Sequence, residues 1–234
     1  MCRMRLDTLV RDAAILQAEV QANLLDLIGP GTRFDGAWDV DLAAGAFTQS
    51  PTAGGDPFVA RADLLGSAAP GPGTWLWAWA NAQYGETVTE AARLVRDLGA
   101  RLDVEELASP EVPLGDLEPR EVAWRMGAAT IHAVGPWPTY SFDAGGGTIA
   151  ALVLSSEALR LPAPSVPRLL RCMGEASQAV GIARSSVLLW AAQRGVDPAP
   201  APDDLLLRLS DGDVTVRCDE LDRVVGMTGS ARPA

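Results

Sequence analysis

Thr74-Trp75-Leu76-Trp77-Ala78-Trp79-Ala80-Asn81 is the stretch on which the reading of this chain turns. Read with the period of two of an extended strand, Trp75, Trp77 and Trp79 fall on one face. Leu76, Ala78 and Ala80 fall on the other. The alternation predicts a strand over 74–80. Its small face lets a helix or a second sheet approach closely. Its tryptophan face is either core, each ring burying some 150–250 Å², or a stacking platform for a ligand or partner. Large apolar rings are usually buried, so the ladder reads first as core. Trp75, Trp77 and Trp79 stay candidate binding residues under the second reading. Asn81, one of only two asparagines, joins them and is placed to cap the strand end or a turn.

Outward from this strand, helical and extended periods alternate. Apolar residues recur every three or four positions over 6–28, an amphipathic helix stopped at Gly29-Pro30-Gly31. Trp38, Val40 and Leu42 then alternate with Asp39 and Asp41, a half-buried strand. Residues 48–57 read as loop, 58–66 as a strand, and Pro70-Gly71-Pro72-Gly73 as a tight connection. A helix over 86–98 closes at Gly99. Residues 108–119 are punctuated by proline and read as irregular. A second helix starts near Pro119, a residue suited to the first helical turn, and runs to about 134. Residues 139–142 and 148–155 form a hairpin around Gly145-Gly146-Gly147. Helices over 165–180, capped by Ser165, and over 185–194 follow, then a Pro-Ala linker at 197–202. The last expected element is a hairpin. Leu205, Leu207 and Leu209 face Val214, Val216 and Cys218 across a type I′ turn at Asp211-Gly212.

Blocks of helices and antiparallel hairpins imply an α+β fold, antiparallel sheets flanked by amphipathic helices, rather than a doubly wound parallel sheet. Apolar residues are 48% of the 234, enough for a real core. The expected organisation is one composite domain over 1–228, or two lobes, 1–105 and 106–228. A frayed tail at 229–234 completes it.

Three counts exclude chemistry. All 19 basic residues are arginine, so lysine Schiff bases and P-loop lysines are out. One histidine, His132, cannot make a two-histidine metal motif. Cys2, Cys172 and Cys218 form no CxxC. No catalytic residue, metal site or cofactor is therefore expected. The net charge of −11 disfavours nucleic acid, whose binding rests on phosphate neutralisation, and anionic membranes. Charged residues break up the first 28 positions, and no apolar run spans a bilayer. A cytoplasmic protein is expected. The arginine-only, alanine-rich usage resembles that of a GC-rich bacterial genome.

Asp39 and Asp41 are the remaining candidates. Paired carboxylates on one strand face would suit Mg²⁺ or acid–base work, but alternation alone places such residues on a solvated face. His132, near a helix C-terminus, has no GxSxG nucleophile to serve and is placed to meet the helix dipole.

Leu64-Leu65-Gly66-Ser67, the Trp75 strand and the 91–99 helix together resemble an uncharacterised bacterial domain family of unknown function, from about residue 38 to about 142. The resemblance implies a fold unit and carries no mechanism. The expected function is that of a non-catalytic binding or interaction protein with an unknown protein partner or small ligand, chaperone- or immunity-like by analogy of fold type alone. The alternatives are a carboxylate-dependent hydrolase or transferase built on Asp39, Asp41 and His132, and a small-ligand module using the tryptophan strand.

Overall fold

The computed structural model describes residues 4–200 and 204–232. Cys2, expected at an exposed terminus, and the end of the Pro-Ala linker lie outside the described residues. The fold is α+β. It divides into two compact units: residues 4–6 and 21–160 in the first, and residues 7–20, 161–200 and 204–232 in the second. The boundary at 160/161 differs from the 105/106 division expected from the sequence, because strands after residue 106 pair with a strand before it. Helix α1 (Leu6–Ile28) contributes to both units. It ends at Gly29, whose N–H bonds Leu25 O at 2.9 Å. A Cβ there would lie 2.4 Å from that same oxygen, so only glycine fits.

The first unit is a seven-stranded antiparallel sheet with helices on one face. Its strands are β1 (Trp38–Asp41), β2 (Ala46–Gln49), β3 (Phe58–Ala69), β4 (Thr74–Trp77), β5 (Glu111–Pro113), β6 (Thr139–Asp143) and β7 (Ile149–Ser155). Its helices are α2 (Glu90–Leu102), α3 (Glu105–Ala108) and α4 (Pro119–Val134). The long β3 organises the sheet. One edge of it pairs β2 and then β4, and the other pairs β7, which in turn pairs β6. A bulge between Leu64 and Gly66 bends β3, as an extra residue in one strand does. The bend brings the ends of the sheet together: the Trp38 ring on β1 lies 5.4 Å from both Tyr140 and Phe142 on β6. The sheet is therefore a curled half-barrel. Helix α4 covers its outer face so closely that a Cβ on Gly127 would sit 2.8 Å from Thr139.

Local differences from the sequence reading have physical causes. The strand expected over 74–80 stops at Trp77, and Ala78–Ala80 form a 3₁₀ turn. The end of strand β2 overlaps the 48–57 stretch read as loop, and β5 falls in the stretch read as irregular; the strands are four and three residues long with little β-branched content. Gly99 does not close α2. It lies within the helix, where a Cβ would meet Leu107 at 2.6 Å, and the helix ends at Asp103 in the left-handed region (φ 55°).

The second unit packs α5 (Val166–Val180) and α6 (Arg184–Arg194) with a sheet ordered β11-β10-β9-β8. These strands are β8 (Ala199–Pro200), β9 (Asp204–Leu209), β10 (Gly212–Cys218) and β11 (Val224–Ala231). The expected apolar face is present: Leu205, Leu207, Leu209, Val214, Val216 and Cys218 are all buried. The hairpin turn is Ser210-Asp211, since Leu209 pairs Gly212. Neither turn residue has positive φ, so it is not type I′. Asp211 instead reaches α5, both carboxylate oxygens 3.1 Å from the Val166 N–H. It performs the capping expected of Ser165, which makes no side-chain cap. The tail expected from residue 229 is also corrected. Gly229, Ser230 and Ala231 belong to β11 and pair Val214, Asp213 and Gly212. Gly229 fits against Val166 and Leu170 of α5, which a Cβ would meet at 2.7–2.8 Å.

Candidate ligand pocket

The half-barrel has an inner face, and pairing register says which side chains point into it. Leu76 pairs Ser67, Leu64 pairs Leu152, and Phe142 pairs Ala150. Residues directly opposite on neighbouring strands share a face. Trp75 and Trp77 therefore point the other way, into the helix-covered core, where each is 0% exposed. They meet edge to face with centroids 5.4 Å apart, the arrangement aromatic quadrupoles prefer. Trp77 Nε1 donates to Glu106 O at 2.9 Å. The Trp75 indole nitrogen has no partner. The ladder has two rungs, not three, because the 3₁₀ turn carries Trp79 out of the strand. Trp79 is half-buried, with the Arg96 guanidinium 5.5 Å above its ring.

On the inner face, the small side of the same segment lines a hollow of about 290 Å³. Leu76 and Ala78 form one wall, and Leu42, Leu64, Phe142 and Ala150 form much of the rest. Ser67, Asn81, Tyr84 and Thr148 supply the polar groups. Asn81 does two things. Its Oδ1 accepts the Gln83 N–H at 3.0 Å, which turns the chain as expected of it. Its amide N–H₂ has no partner among the described residues and stands at the hollow. An apolar cavity with a few convergent hydrogen-bonding groups at the mouth of a curled sheet is the usual form of a small-molecule site.

The carboxylate candidates do not converge. Asp39 and Asp41 are exposed on β1. Asp41 Oδ1 accepts the N–H groups of Ala43 at 2.8 Å and Ala44 at 2.9 Å, closing the β1–β2 turn. His132 lies in the last turn of α4, partly buried and already engaged. Among the described residues, no group of three His, Cys, Asp or Glu side chains is placed to hold a metal ion. A wider cleft of about 600 Å³ runs along α3 and β5, bordered by Arg5, Glu105, Glu106 and Glu111. Four charged side chains border it, whereas none among the described residues lines the hollow.

The sequence carried part of this site. Leu76 and Ala78 are visible as the small face of the strand, and Asn81 as its end. Leu42, Tyr84, Phe142 and Thr148 are not, since they come from separate segments that only the curl of the sheet assembles.

The family pattern of a domain of unknown function, DUF6882, matches residues 7–157, well over half of the chain. The chain belongs to DUF6882. The DUF6882 match contains all of the hollow and every strand of the half-barrel, and it extends beyond the 38–142 stretch on which the sequence resemblance rests. Residues 158–234 lie outside the DUF6882 match. Neither the curated proteins nor the solved structures contain a match to the chain. Among the described residues, no helix is long and apolar enough to cross a membrane.

Proposed function

We propose that this chain is a non-catalytic binding protein of the bacterial cytoplasm. Its ligand is a small, largely apolar molecule held in the hollow of the half-barrel and oriented by one or two hydrogen bonds. One observation carries the reading: the 74–81 segment sends Trp75 and Trp77 into the core and offers Leu76, Ala78 and the Asn81 amide N–H₂ to a cavity. The strand that defines the core thus also builds the site, which favours a pre-formed pocket over an induced one. Support for the compartment comes from Cys172 and Cys218, both buried free thiols. Burial lifts the Cys172 thiol to about 11, so it stays protonated and inert at neutral pH. The charge of −11 supports a partner that is neither nucleic acid nor membrane. The carboxylate-enzyme reading has no comparable support, because Asp39, Asp41 and His132 line none of the cavities described above.

The test is titration with N-phenyl-naphthylamine, an uncharged probe that fluoresces in apolar sites. Saturable one-to-one binding is expected. Ala150→Met, which fills the hollow, should weaken it at least about tenfold, the equivalent of ~1.4 kcal/mol, while the melting temperature moves little. Equal binding by the filled variant, or no saturation in the parent, overturns the reading.

A further inference from the structure

Two residues before Phe142 on β6, Tyr140 lines a different cavity, a cleft of about 410 Å³ at the other end of the half-barrel. The last turns of α1, the first turns of α4 and the start of β6 form its walls. Gln49 on β2 closes its base and is only 6% exposed. The Gln49 Nε2 donates to Ile28 O at 3.2 Å and to Gly36 O at 3.4 Å. These bonds fix the amide, because turning it over would set its oxygen against two carbonyl oxygens. The oxygen Oε1 is left with no partner. Gln49 lines the cleft, and a buried amide oxygen with no donor from the protein calls for one from outside it.

The charge of the cleft is equally specific. Arg120, exposed in the first turn of α4, is the one charged side chain among the described residues lining it. No described residue forms an ion pair with it. In a protein of net charge −11, the cleft is a local positive site with a single guanidinium and no lysine, which suits a monoanion better than a phosphate dianion. Trp124, one helical turn after Arg120, lies on the same helix face and offers an indole wall. Tyr140 is half-buried, and burial raises its phenol above the ordinary value, so it stays neutral and able to donate. The walls are held in advance. Gln21 Nε2 donates to Thr139 O at 2.8 Å and to its Oγ1 at 2.9 Å, tying α1 to β6, while Gln49 ties β2 to the end of α1.

We propose that this cleft is a second ligand site, for a small aromatic or apolar monocarboxylate that also carries a hydroxyl or amino group. The carboxylate pairs with Arg120, the body lies against Trp124 and Tyr140, and the hydroxyl or amino hydrogen is donated to Gln49 Oε1. The volume accommodates a molecule of this size. The site is independent of the apolar hollow and would stand if that reading failed.

Para-hydroxyphenylacetate is the probe, followed through the Trp124 indole N–H resonance and taken to roughly ten times the ~1 mM Kd that marks weak binding. Trp124→Phe assigns the resonance. Saturation is expected. Phenylacetate, lacking the donor, and tyrosol, lacking the carboxylate, should each bind about tenfold more weakly, one hydrogen bond's equivalent. Arg120→Gln should abolish saturation and Arg120→Lys should keep part of it, with the other indole resonances unmoved in both. Unchanged binding of N-phenyl-naphthylamine by Arg120→Gln separates this site from the hollow. No saturable Trp124 shift with para-hydroxyphenylacetate, equal binding of all three probes, or full binding by Arg120→Gln overturns the proposal.

Discussion

The two units treat buried tryptophan in opposite ways. In the first, Trp75 and Trp77 are fully buried beneath helices, yet only Trp77 has an indole hydrogen bond, and that to a backbone carbonyl. In the second, Trp190 is equally buried, and its Nε1 donates to the carboxylate of Glu19 at 2.8 Å. Glu19 is itself 1% exposed and lies 3.4 Å from the Arg194 guanidinium, an ion pair without hydrogen-bond geometry. Ser185 and Ser186 at the start of α6 extend the polar contacts, bonding the Asp12 carboxylate and Arg11 O at 2.6 Å and 2.8 Å. The first unit thus buries its two strand tryptophans in apolar volume, one of them with no hydrogen-bond partner. The second uses a buried charged network that fixes one arrangement of helices. The difference teaches where each is fragile: one to lost volume, the other to a lost partner.

Four experiments would break or sharpen that contrast. The largest effect is expected from ending the chain after Gly226, which removes the outer half of β11 with its pairing to β10 and the packing of Gly229 on α5. The second unit should lose cooperative melting, read as heightened proteolysis within residues 161–226. A silent truncation would mean that β11 carries no stability. Next come Glu19→Ala and Trp77→Ala. Each should cost about 3–5 kcal/mol in denaturant melts, the first by removing the charge partner of the largely buried Arg194 guanidinium and the second by deleting a ring. If Glu19→Ala costs under about 1 kcal/mol, in the range of an exposed pair, the network is ornamental.

A finer test compares Trp190→Phe with Trp75→Phe. Both remove similar volume, but only the first removes a donor from a buried carboxylate. Trp190→Phe should be the worse by about 1–3 kcal/mol, the cost of an unsatisfied buried group. Equal losses would show that the indole bond to Glu19 adds nothing. The smallest effect concerns Asp63 on β3. Burial raises its carboxyl above 3.8, and its hydrogen bond to Arg61 partly opposes the rise. The folded state therefore holds this proton more tightly than the unfolded chain. Its contribution is most favourable below the ordinary value and declines as pH rises through the raised one. Across acid pH, Asp63→Asn should remove that decline from a plot of melting temperature against pH. An unchanged slope would reassign the pH dependence to other carboxylates.

How much of this was legible in the sequence depended on whether a signal was local. The helix over 6–28, the hairpin around Gly145 and the burial of Leu205 through Cys218 follow from periodicity, and all are present. Trp79 defeated periodicity because a 3₁₀ turn begins inside an alternating run. Strand β11 was hidden by Gly226 and Gly229, which suggest a frayed end but serve close packing, the first against Arg217 of β10 and the second against α5. Glu19 looked like a charge interrupting an apolar face; nothing in its neighbours announces that Trp190 and Arg194 meet it. Gln49 and Arg120 belong to the same class, ordinary residues made into a site only by the return of distant chain.

Helix α1 has a consequence for anyone who would divide this protein. Its residues 7–20 belong to the second unit and residues 21–28 to the first, while the family match opens at residue 7 and closes at 157. Heredity and folding therefore cut the chain at different places. A fragment taken at the family boundaries would carry Glu19 and Asp12 without Trp190, Arg194 or Ser185. A fragment starting at residue 161 would have those partners and no helix to receive them. Two-piece reconstitution, as in a split reporter, would succeed only where α1 remains whole and both pieces fold around it, so that the helix acts as the common template on which each half completes itself.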